Sequence, residues 1–142
     1  MRRSTGSLIE ASAALVLMLP ILITILFVTV EVCQAYIIKE VLEQAAREGA
    51  RNLAIAYGQN HNITTDTTQQ QNILSQIHYG GMVVSVNQFS PPSWQTANQP
   101  YTVMLTVTYT SGRNGLSVFP TIDPLNLSGR LNLVGQSTYR LE

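Results

Sequence analysis

The chain has 142 residues, 45% of them apolar and only 11% charged, with eight basic and eight acidic side chains and one cysteine. Soluble domains average about a quarter charged residues, so the shortfall points to a segment that avoids water. Zero net charge without a basic cluster argues against a nucleic-acid partner, and a lone Cys33 excludes an internal disulfide or a cysteine-built zinc site.

Residues 11–30 carry no charge at all, which is close to the length a helix needs to cross a bilayer. What remains is enough for one small domain and not two. Arg2 and Arg3 precede the apolar run, whereas Glu31 follows it and the first cation beyond is Lys39. The positive-inside rule then predicts a cytoplasmic N-terminus and an extracytoplasmic chain after about residue 35. Pro20 falls mid-span, where a bilayer helix tolerates it, usually with a kink.

Three fates are open to this segment. It can persist as an anchor, it can be removed as a secretory signal after Cys33-Gln34-Ala35, or a short leader can be cut off near Gly6. The apolar run exceeds the usual 7–15 residues of a signal h-region, which disfavours the second. Glu10 bears on the third. A carboxylate in a spanning helix costs about 2.5–3.5 kcal/mol at the bilayer centre and less near the interface. Glu10 either reaches the headgroups and does nothing, or meets a positive group on a neighbouring helix, such as an α-amino terminus freed after Gly6.

A basic leader ending in Gly6, then Ser7-Leu8-Ile9-Glu10 and a long apolar helix, resembles type IV pilin-like proteins. It resembles more closely the TadE-like family of minor pseudopilins and pilus-assembly proteins. The resemblance implies cleavage between Gly6 and Ser7 by a prepilin peptidase and a subunit-register role for Glu10. A cut there makes Glu10 the fourth residue of the mature chain, where pilins usually carry Glu fifth. A cut after Thr5 would restore the fifth place but lose the glycine before the bond.

Beyond Glu31 the periodicity stays helical. Ile38, Val41, Leu42, Ala45, Ala46, Gly49, Leu53 and Ala56 form one stripe, and Val32, Tyr36, Lys39, Glu40, Glu43, Arg47 and Ala50 another. Glu43 with Arg47 and Glu48 with Arg51 are favourable helical pairs. Gly58 marks the end, so one helix of about 75 Å is predicted over residues 8–57. The small residues Ala45, Ala46, Gly49 and Ala50 permit close packing by the domain's own sheet or by another helix. The run Ala45-Ala46-Arg47-Glu48-Gly49-Ala50-Arg51 also resembles the juxtamembrane helix of TadE-like proteins.

Residues 58–78 contain twelve Gln, Asn or Thr and read first as a polar linker, with Asp66 placed to cap a short helix over 69–77. Gly80-Gly81 breaks the chain, and three strands are predicted over 82–89, 101–110 and 131–141. The second alternates, with Val103, Leu105, Val107 and Tyr109 on one face and three threonines on the other. Ser90-Pro91-Pro92 and Gln99-Pro100 bound the first connection, and residues 111–130 form a longer second one. The closing Ser137-Thr138-Tyr139-Arg140-Leu141 again resembles TadE-like proteins.

No residue pattern in the sequence points to catalysis. His61 and His78 lack carboxylate or cysteine neighbours at ligand spacing, no serine sits in a Gly-x-Ser-x-Gly context, and Asp66 and Asp123 are too few to pair. No metal or other cofactor is expected.

The fold class expected is α+β, a long N-terminal helix packed on a small three-stranded antiparallel sheet. Its divisions are a leader at 1–6, a transmembrane helix at 7–35, and an extracytoplasmic domain at 36–142 whose helix runs to about 57, with a linker at 58–80 and a β-meander at 82–141. The resemblance implies a structural, non-enzymatic component of a Tad-type pilus or related secretion filament. It would sit in the bacterial inner membrane, with the lipid bilayer, other pilin or pseudopilin subunits and the assembly machinery as partners. A single-pass protein whose outer domain binds a partner outside any filament is the alternative.

Overall fold

The computed structural model describes residues 4–79, 82–109 and 132–141. The basic residues of the leader, the Gly80-Gly81 break and the connection at 111–130 lie outside the described residues.

One helix, α1 (Ser4–Gln59), dominates the molecule and is about 84 Å long at 1.5 Å per residue. Pro20 lies inside it and removes the N–H that would bond one turn back. Around it the two threonine hydroxyls of the apolar stretch bond within the helix. Thr24 Oγ1 donates to the carbonyl of Pro20 at 2.8 Å, and Thr29 Oγ1 to that of Ile25 at 2.8 Å. Neither hydroxyl needs water, which is the condition for residence in hydrocarbon.

The segment after α1 is folded rather than a simple linker. Asn60 accepts from the amide of Asn62 and opens a 3-10 turn at His61–Thr64. Asp66 accepts from the amide of Gln69 at 3.0 Å and caps α2 (Thr67–Leu74). Buried Gln70 donates through Nε2 to the carbonyl of Ile63 at 2.6 Å, tying the turn to the helix. Many of the polar residues that suggested a linker are caps and turn-formers, while Ile63, Leu74 and Ile77 enter the core.

Strands β1 (His78–Tyr79) and β2 (Met82–Val83) form a small antiparallel pair. The main sheet is antiparallel, in the order β3 (Ser93–Gln95), β4 (Thr102–Thr108), β5 (Val134–Arg140). The predicted strand at 82–89 is therefore corrected. Only its first two residues are strand, and the chain then makes a 3-10 turn at Val86–Gln88, and Phe89 touches the sheet through a single bridge to Val107. The first strand of the sheet falls instead in the segment read as a connection. Pro91 and Pro92 lack amide hydrogens and precede a short edge strand, the setting in which proline beside a sheet is tolerated.

The α1 helix packs most extensively on β5 and next on β4. The predicted alternation of β4 holds, with Val103, Leu105 and Val107 fully buried and Tyr109 nearly so. Opposite them Leu42, Ala45, Ala46, Ala50 and Leu53 of α1 have no exposed surface. Ala50 thus belongs to the buried stripe and not to the outer one.

Candidate functional site

The functional features are distributed along α1. In its first half the apolar window of the helix is unburied among the described residues. Leu15, Val16 and Leu17 are 62%, 69% and 73% exposed, and Met18, Ile21, Leu22, Ile25 and Leu26 are similarly bare. An apolar cylinder of this length, about 30 Å over residues 11–30, matches the hydrocarbon thickness of a bilayer. The helix is long and apolar enough to cross a membrane and fits a membrane anchor.

Burial begins where the apolar stretch ends. Glu31 is completely buried, followed on the same helical face by Ile38 and Leu42. The sequence placed Glu31 at the outer flank of the span without assigning it a role. The spacing Glu31–Ile38–Ala45, one residue per heptad on the buried stripe, is the signal that could have revealed it.

The backbone of Gly6 and Ser7 is already helical. Glu10 is exposed at the head of the apolar stretch, and no ion pair reaches it among the described residues. Ala45, Ala46, Gly49 and Ala50 lie against the chain's own sheet and α2 rather than on an outward face. A methyl added at Gly49 would meet Leu105, Ile77 and Leu74. Close approach by the sheet is the use the structure makes of these small residues.

The outer face of the same segment is charged. Glu43 lies 3.9 Å from Lys39 and 3.7 Å from Arg47, both exposed one-turn pairs worth no more than a few tenths of a kcal/mol each. The predicted Glu48–Arg51 pair does not form among the described residues. Arg47 and Arg51 instead line a surface groove with Ser137 and Tyr139 of β5.

The remaining candidates do not converge. His61 stacks on Tyr57 with ring centroids 4.5 Å apart, and His78 Nδ1 lies 2.8 Å from the carbonyl of Gln76. Among the described residues no three of His, Cys, Asp and Glu gather as metal ligands. Cys33 is exposed immediately beyond the apolar stretch.

Against known proteins, residues 11–51 match the family model described as TadE-like protein. No curated protein and no solved structure matches the chain. The matched segment holds both halves just described, the bare apolar cylinder and the small-residue face that seats the sheet. From the head of the apolar stretch to the end of the Ala-Arg run, this helix is similar to that family.

Proposed function

We propose that the protein is a minor pseudopilin, a structural assembly component of a Tad-type pilus or related secretion filament. Residues 11–30 hold it in the inner membrane, the N-terminus is cytoplasmic, and the α+β domain stands outside. The observation that carries this reading is the coincidence of the TadE-like match with both the unburied apolar helix and its sheet-bearing continuation. A prepilin peptidase cuts between Gly6 and Ser7, and Glu10 then meets the freed α-amino group of a neighbouring subunit. The exposure of Glu10 at the membrane boundary favours that contact, because a carboxylate there is available to a partner and strengthens as water is excluded.

In this mechanism the apolar cylinder serves lipid first and helix packing between subunits second. The charged outer face of residues 39–51 stays outside the membrane throughout. The test is a Glu10→Ala variant in the native host. Membrane insertion should be unchanged and piliation strongly reduced, and a fully piliated variant would remove the assigned role.

A further inference from the structure

We propose that the groove between α1 and the free edge of β5 receives an acidic, extended segment of a different protein, which adds to the sheet as a fourth strand. The backbone of β5 leaves one side of the strand free among the described residues. The amide of Tyr109 donates to the carbonyl of Leu133, and that of Leu141 to the carbonyl of Tyr101. With the register of β4 on β5, the odd-numbered residues of β5 therefore turn their peptide groups toward β4. Val134, Gln136, Thr138 and Arg140 turn theirs to the edge, which no described strand covers. Edges of this kind are usually blunted by proline, lysine or a bulge. The run from Val134 to Tyr139 carries none of these and keeps an unbroken register.

Length and charge define the occupant. The groove runs beside α1 from Gln44 to Gly58, its two parts sharing Arg51 and Tyr139. That distance, about 21 Å along a helix, matches about six residues of extended chain. Arg47, Arg51 and Arg140 face it against Glu48 alone, and neither Arg51 nor Arg140 has an ion pair among the described residues. A strand laid beside β5 would turn every second side chain toward α1, so carboxylates at alternate positions would meet Arg47 and Arg51. The described strands of a second copy do not supply them, since none of β1–β5 contains Asp or Glu.

The test uses the full chain in detergent micelles and two seven-residue peptides of Val and Thr, one with Glu and one with Lys at alternate positions. The acidic peptide should bind by fluorescence anisotropy and slow amide hydrogen exchange at Gln136, Thr138 and Arg140. Arg51→Glu, a change at an exposed position, should weaken it by roughly tenfold or more. Gln136→Pro should abolish binding with the circular dichroism spectrum retained, because the amide it removes faces the edge. Equal binding of the lysine peptide, indifference to Arg51→Glu, or unchanged exchange in β5 would overturn the proposal. So would protection of these amides in concentrated protein without peptide, which would assign the edge to a second copy.

Discussion

Gly135 of β5 rests directly on the backbone of Leu42 in α1, with no room for a side chain between them. From this contact the strand and the helix run in the same direction. Ser137 reaches the groove beside Gln44 and Glu48, and Arg140 reaches Ala54 and Gly58. Five residues of strand advance about 17 Å and twelve of helix about 18 Å, so the two stay in step. The contact lets the second half of the helix lie close on the sheet, while the apolar window of its first half stays unburied.

Gly135→Ala should destabilise the outer domain by about 3 kcal/mol, because a backbone on the other side cannot move aside as a side chain can. Gly49→Ala should cost far less. Its obstacles are the methyl ends of Leu105, Ile77 and Leu74, and alanine regains about 1 kcal/mol of helix propensity over glycine. Urea unfolding of the two variants, followed by circular dichroism, measures the difference. Equal losses would mean that the helix–strand distance is not fixed at Gly135.

Asp66→Ala should remove the cap of α2 and cost about 1 kcal/mol. Faster amide exchange over Thr67–Leu74 should report it, with exchange in β4 little changed. Leu105→Ala lies at the centre of the core and should cost about 2–5 kcal/mol, lowering protection in β4 and β5 together. A loss confined to β4 would show that α1 does not bind the sheet as one unit.

Leu22→Arg should reduce membrane insertion by about 2.5–3.5 kcal/mol, the cost of an arginine near the middle of a span. Leu22 is 63% exposed and has no role inside the protein, so the folded sheet should survive. Carbonate extraction of membranes reads the effect, and retention equal to the unmodified chain would show that residues 11–30 do not span.

Cys33 offers a direct view of orientation. It is exposed just past the apolar stretch, so a membrane-impermeant maleimide should label it from the extracytoplasmic side of intact cells. Labelling only after the membrane is broken would reverse the proposed topology.

Much of this architecture is legible in the sequence, and the parts that are not have physical reasons. The helix shows because two periodic signals, an uncharged run and a heptad-like stripe of Ile38, Leu42, Ala45 and Gly49, join without a break. Strand β4 shows because one of its faces is buried and the other is not. Strand β3 does not, since three residues on an edge beside two prolines leave no periodicity to read. The run at 82–89 misleads in the opposite sense, because its valines satisfy strand propensity while the chain turns at Val86–Gln88. Glu31 is obscured by its charge, which suggests a flank of the span although its spacing places it on the buried stripe. The role of Gly135 depends on what lies opposite, and a single chain of letters does not carry that.

The proposed function requires a processed, pilin-like helix that anchors this domain in the membrane. The intact mass of the protein purified from its native membranes, with its first residue identified, tests it most directly. A chain beginning at Ser7 is the predicted result. A chain retaining Met1 would contradict pilin-type processing, and one beginning at Tyr36 would contradict the anchor itself.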